Sequence, residues 1–141
     1  GAAARARGGG GGGGGGAVAG MAVAGKGAAA GAAAAGSGRE GAAATEPLVV
    51  GRGQRVRIRF GNLGPMDHHP IHLHGLSFKV TATDGGYVPE SAQYPETTVL
   101  VPVGSTRVIE FVPEESGDWA MHCHMMFHMD TGMFRILKVR A

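Results

Sequence analysis

The sequence predicts an all-β domain, a sandwich or barrel of antiparallel strands, from three observations. Short segments alternate apolar and polar residues with a period of two, Gly or Pro bounds each segment, and none carries a convincing amphipathic-helix period. The prediction covers residues 47–141. The 46 residues before them have a different composition and are treated separately below.

The elements follow in chain order. "RVRIRF", Arg55 to Phe60, alternates strictly, with Val56, Ile58 and Phe60 on one face and three arginines on the other, which is the pattern of a half-buried strand with a solvated arginine stripe. "LSFKVTAT" repeats the period, placing Leu76, Phe78, Val80 and Ala82 on one face, and "DGG" at 84–86 supplies turn residues to end it. Short apolar runs then recur as "TTVLV" at 97–101, "STRVIEFV" at 105–112, "DWAMHCH" at 118–124 and "FRILKV" at 134–139. Trp119 is expected in the core.

Residues 1–46 hold 17 of the 27 glycines, with an unbroken run from Gly8 to Gly16, and no histidine, aromatic or cysteine. Burying alanine methyls returns less than ordering so many residues costs, so this low-complexity Gly/Ala-rich segment is expected to be disordered. The stretch from 17 to 36 has the length of a membrane span, but it is nearly all Ala and Gly and Lys26 interrupts it, so no membrane span is expected. It also lacks the leucine-rich centre of a signal peptide. The chain begins with Gly, which fits a fragment or a misassigned upstream reading frame.

In residues 47–141 nine Lys and Arg balance nine Asp and Glu, so the formal charge of +2 resides in the first 46 residues. No basic patch for nucleic acid is expected in the folding part. With Cys123 as the only cysteine, an intramolecular disulfide is impossible, and the residue reads as a thiol, a thiolate or a metal ligand.

All seven histidines fall into two clusters, "HHPIHLHG" at 68–75 and "HCHMMFH" at 122–128. In a strand, residues two apart point the same way and neighbours point oppositely. His122 and His124 therefore face one side and Cys123 the other. His72 and His74 likewise share a side, and His69 has the opposite parity. Two such strands laid together offer four imidazoles on one face and Cys123 with His69 on the other. A thiolate, two imidazoles and a weak thioether form the ligand set of a blue-copper electron-transfer centre, and Cys123, His69, His128 and Met133 supply it. His72, His74, His122 and His124 form an all-nitrogen set suited to copper that binds oxygen. Because Cys123 is joined by peptide bonds to His122 and His124, an electron reaching the sulfur has a short through-bond route to the second set. Zinc fits less well, since neither paired cysteines nor an HExxH helix is present. His68 stands outside this parity scheme and reads as a satisfied core residue or a loop residue rather than a ligand. Met66, Met121, Met125, Met126 and Met129 read as packing residues, with a soft Cu(I)-passing surface as the alternative.

"HPIHLHG", followed some fifty residues later by "HCHMMFHMDTGM", closely resembles the two C-terminal copper signatures of the multicopper oxidases, a family that includes laccases, ascorbate oxidase and bacterial copper-resistance oxidases. The resemblance covers residues 47–141 as one cupredoxin domain, a Greek-key β-sandwich or barrel, and the ending "DTGMFRILKV" looks most like the periplasmic copper-resistance protein A group. It implies that His69, Cys123, His128 and Met133 are type 1 copper ligands, that His72 binds type 2 copper, and that His74, His122 and His124 bind the type 3 pair. Cys123, His122 and His124 would be the catalytic relay. It further implies oxidation of a reducing substrate, Cu(I) or a phenol, coupled to reduction of dioxygen to water, in the periplasm or another exported compartment.

One departure from the family pattern is large. The trinuclear cluster of these oxidases uses eight histidines, half from two HxH motifs in an N-terminal cupredoxin domain, and this sequence has only its own four. An N-terminal cupredoxin partner is therefore expected, with the chain alone incomplete as an oxidase. Some relatives also carry an acidic residue directly after the last type 1 histidine, where this chain has Met129 with Asp130 next; Asp130 reads equally as a proton-delivery group or as a cap. A stand-alone blue-copper carrier or copper-binding module is the alternative, but it would leave the second histidine set without a use. Copper nitrite reductase is a weaker match, since it does not need histidine on both sides of the cysteine.

Overall fold

The computed structural model describes residues 20–25, 28–34, 47–130 and 132–141. Among them the chain forms strands β1 (Gly20–Gly25), β2 (Ala28–Ala34), β3 (Leu48–Gly51), β4 (Val56–Gly61), β5 (His69–Leu73), β6 (Lys79–Thr83), β7 (Gly86–Tyr87), β8 (Thr98–Val101), β9 (Thr106–Phe111), β10 (Gly117–Cys123) and β11 (Phe134–Arg140). One short helix, α1 (Met126–Asp130), lies between the last two strands. The strands make two sheets, ordered β2-β1-β4-β9-β6-β7 and β3-β11-β10-β5-β8. The chain changes sheet at almost every connection from β3 to β10, so the two sheets fold as one Greek-key sandwich.

The predicted alternation explains the core. Val56, Ile58 and Phe60 of β4 point inward with Ile109 and Phe111 of β9, and they meet Leu73, Val99, Val101, Met121, Leu137 and Val139 from the opposite sheet. Trp119, expected in the core, is partly buried and packs against this cluster from its edge.

Several local features differ from the sequence reading. The sandwich is not wholly antiparallel: β3, which the sequence pattern did not reveal, runs parallel to β11. Ala82 does not share the face of Leu76, Phe78 and Val80, because a bulge between Val80 and Ala82 shifts the register. Val80 pairs with inward Ile109 whereas Ala82 pairs with Val108, its outward neighbour. The "DGG" turn behaves as predicted: Asp84 and Gly85 both have positive φ, and Thr83 pairs with Gly86 across a two-residue hairpin loop.

The segment expected to be disordered is described only at 20–25 and 28–34, where β1 and β2 pair with each other and β1 pairs with β4. The exposed edge of β4 offers a row of backbone donors and acceptors, a gain that a comparison of methyl burial with chain entropy leaves out. The rest of residues 1–46, most of the expected disordered segment, lies outside the described residues.

The arginine stripe is not simply solvated. Arg55 Nε and Arg57 Nε donate to the two carboxylate oxygens of Glu110 at 2.6 and 2.7 Å, and the Thr81 hydroxyl adds a third bond at 3.2 Å. Burial works to raise the Glu110 pKa, but the hydrogen bonds and charges of Arg57 and Arg55 outweigh it and hold the carboxyl below its usual range.

Candidate metal centre

Two strands carry most of the site. β5 and β10 pair antiparallel with Met121 opposite Leu73, His122 opposite His72 and Cys123 opposite Ile71. Residues directly opposite point to the same face. Leu73 and Met121 belong to the core, so Cys123, two residues from Met121, points inward too, while His72 and His122 point outward. Main-chain bonds from His74 N to Ala120 O at 2.9 Å and from His124 N to Pro70 O at 2.7 Å extend the pairing past the strand ends. This fixes the outer histidines of both motifs on the same face as His72 and His122.

On the inner side, Cys123 meets His69 and His128. Cys123 Sγ lies 3.9 Å from His69 Nδ1 and 3.7 Å from His128 Nδ1, and the two nitrogens are 3.2 Å apart. All three residues are buried, with Cys123 fully so. His128 reaches Cys123 because β10 ends at the cysteine and α1 turns the chain back, its first turn closed by Met129 N to Met125 O at 3.0 Å. The predicted thioether residue, Met133, is buried, and its backbone ties the site together: Cys123 N donates to Met133 O at 3.0 Å, and Met133 N donates to His128 O at 2.8 Å. The helix itself escaped the sequence reading, because five residues are too few to display a helical period.

The three donors are spaced for an ion. A metal bound to imidazole nitrogen at roughly 2.0 Å and to thiolate sulfur at roughly 2.3 Å, with trigonal angles, would hold N and S about 3.7 Å apart and the two nitrogens about 3.5 Å apart. The observed spacings are close to both, so the donors need to move little. Burial pushes the Cys123 thiol pKa up, with the Met125 backbone N–H offsetting part of the effect. Burial and the neighbouring His128 push His69 down. Both shifts follow from burial, which disfavours charge on Cys123 and on His69, and a metal cation bound there would displace the thiol proton.

On the outer side, His72, His74, His122 and His124 form a second group. Ring centroids are 4.5 Å apart for His72 and His74, 5.5 Å for His72 and His124, and 5.8 Å for His122 and His124, while His74 Nε2 and His122 Nε2 are 2.9 Å apart. His72 Nδ1 bonds the Thr98 hydroxyl at 2.8 Å, and His122 Nδ1 donates to the Cys123 carbonyl at 2.9 Å, leaving Nε2 of each ring to face the group. Phe134 stacks on His122 with the rings 11° from parallel. Burial and the nearby His74 lower the His72 pKa. Unlike the inner triad, this group is open: His74 and His124 are exposed.

The structure thus brings His69, Cys123 and His128 together on one face of the strand pair and His72, His74, His122 and His124 on the other, while Met133 joins the first group through its backbone. His68 belongs to neither; its Nδ1 accepts the Val103 backbone N–H at 3.0 Å. Sequence reading missed Thr98, which is indistinguishable from any strand threonine until the fold places it beside His72. Among the described residues no helix is long and apolar enough to cross a membrane.

Known proteins resemble this chain in sequence and in fold. The multicopper oxidase family profile matches residues 21–141. The chain is 38% identical over 97 residues to copper resistance protein A of Pseudomonas syringae pv. tomato, covering 69% of this chain and 15% of that protein. It is 36% identical over 110 residues to laccase-6 of Arabidopsis thaliana, covering 72% and 19% respectively. Among solved structures it resembles a multi-copper oxidase from Pseudomonas thermotolerans at 31% identity and TM-score 0.59, covering 66% of this chain and 22% of that one. The fold is also that of a multi-copper oxidase from Pediococcus acidilactici, at TM-score 0.64, 24% identity and coverage of 73% and 22%. The chain spans less than a fifth of the length of these curated relatives.

Proposed function

Because the chain belongs to the multicopper oxidase family, we propose that it supplies that family's mononuclear blue-copper site and half of an oxygen-reducing copper cluster. The observation that carries this reading is the division of ligands by face: sulfur with two imidazoles in a dry interior, four imidazoles on an open surface. Cys123, His69 and His128 would hold the mononuclear copper, with Met133 as the weak fourth ligand, and His72, His74, His122 and His124 would hold their share of the type 2 and type 3 coppers. When bound, copper supplies one-electron redox chemistry at the first site and dioxygen chemistry at the second.

The protein's part is to position ligands and exclude water. Burial of the Cys123 side keeps solvent from the sulfur, while the peptide bonds from Cys123 to His122 and His124 and the His122 bond to the Cys123 carbonyl give a short path between the two ligand sets. The open imidazole face suits docking of a second cupredoxin domain, from an N-terminal region of the full oxidase, that contributes the remaining histidines. The substrates in this reading are dioxygen and a small reductant, Cu(I) or a phenol, in the periplasm or another exported compartment.

The test is titration of the chain with Cu(II). An intense visible thiolate-to-copper band should appear, and Cys123→Ser should abolish it; a parent chain that binds copper without that band would refute the mononuclear assignment. Oxygen uptake by the chain alone should be negligible, and rise when a cupredoxin domain bearing two HxH motifs is joined to it. Uptake by the isolated chain at the rate of an intact oxidase would remove the half-cluster reading.

A further inference from the structure

One polar residue is buried to 1% exposure beside the site without being a ligand: Asn62. Its Nδ2 donates to Asp67 O at 2.7 Å and to Val101 O at 3.1 Å, and its Oδ1 accepts from Gly64 N at 3.0 Å. Val101 is the strand partner of His69. The loop from 62 to 67 is therefore clamped from inside to the strand that registers a ligand, and the bond of His68 to Val103 fastens its far end. A buried amide satisfied in this way is costly to disturb and holds its partners rigidly.

What the clamp presents is Asp67. Its Oδ2 lies 3.6 Å from His128 Nε2, the ring nitrogen opposite the one that faces the sulfur. This separation is longer than a hydrogen bond, so the carboxylate acts on the imidazole chiefly through its charge. Imidazoles that bind metals commonly have a carboxylate or carbonyl at the second nitrogen, which fixes the tautomer and raises ligand basicity.

We propose that Asp67, positioned by the Asn62 clamp, is the outer partner of His128, selecting its Nε2–H tautomer and lowering the reduction potential of a copper ion held by Cys123, His69 and His128. The second half of this statement rests on the copper reading above; the first half does not. Negative charge near the site favours the more positive Cu(II) over Cu(I). In the one-electron equilibrium with ferrocyanide, which gives up its electron to become ferricyanide as Cu(II) becomes Cu(I), Asp67→Asn should shift the balance toward Cu(I) by about tenfold. The blue band should persist, because the substitution leaves every donor in place. Asp67→Glu should restore part of the shift.

Asn62→Ala should move the equilibrium in the same direction, and adding it to Asp67→Asn should cause little further change, since the clamp acts through Asp67. In the metal-free chain, proton–nitrogen correlation spectra of the His128 ring above neutral pH should show the Nε2–H tautomer, and Asp67→Asn should replace it with a mixture. An Asp67→Asn chain with an unaltered tautomer, or a loaded one with an unaltered ferrocyanide equilibrium, overturns the proposal. A parent chain without a blue band defeats the copper reading instead, and the metal-free spectra then decide the role of Asp67.

Discussion

At Gly75 the absence of a side chain lets the HxHG turn form. A Cβ built there would lie 1.9 Å from Trp119 Cε3, and the backbone has a φ of +76°, in the region that disfavours side chains. Gly75→Ala is expected to cost about 2–4 kcal/mol, combining overpacking with the left-handed backbone penalty, and urea unfolding measures it. The displaced turn should also disturb His74, the preceding residue, more than His72. Such detail was only partly legible beforehand. "HLHG" announces ligands, but nothing in the sequence says that Trp119, 44 positions on, fills the space over Gly75.

Strands carry the next scale of the argument. Among β4, β6 and β9, Glu110 is the shared acceptor of Arg55, Arg57 and Thr81. Its carboxyl is held below the ordinary value, so the folded state favours the charged form. The sign follows: the unfolded chain binds a proton first as pH falls, so this contribution is intact above the ordinary value of 4.5 and is lost as pH falls through the folded value. Glu110→Gln should lower stability at neutral pH by about 1–2 kcal/mol and flatten the decline in stability below pH 4.5, as read from unfolding midpoints across the acid range. The arginines on alternate positions of "RVRIRF" were visible in the sequence, but their carboxylate was not, because Glu110 sits 53 residues from Arg57 and only the β4–β9 register brings them together. Ala82 makes the complementary point: its parity was read correctly for a regular strand, and a bulge at one peptide moved it to the other face.

At the scale of the whole molecule, the sandwich serves to hold a dry triad on one side of a strand pair and an open imidazole set on the other. Leu137, fully buried on β11 beside β10, belongs to the core beneath that pair. Leu137→Ala is expected to lower stability by about 2–5 kcal/mol in chemical denaturation while leaving both histidine groups and Cys123 unchanged. Copper that binds the folded chain alone should stabilise it by about 2.7 kcal/mol at a free concentration of one hundred dissociation constants and so raise the unfolding midpoint, and calorimetry of Cys123→Ser should show most of that gain lost.

By itself the sequence determined which donors can never face the same way. Alternation along an extended backbone is imposed by covalent geometry, so Cys123 and its flanking histidines must serve different faces wherever the strand lies. Only the tertiary structure decided which face is dry, and which distant groups complete each side. His69 is 54 residues from Cys123, and Asp67 reaches His128 only through a loop clamped by a buried asparagine. Such meetings depend on strand register and on burial, which arise from long-range packing that no local pattern encodes.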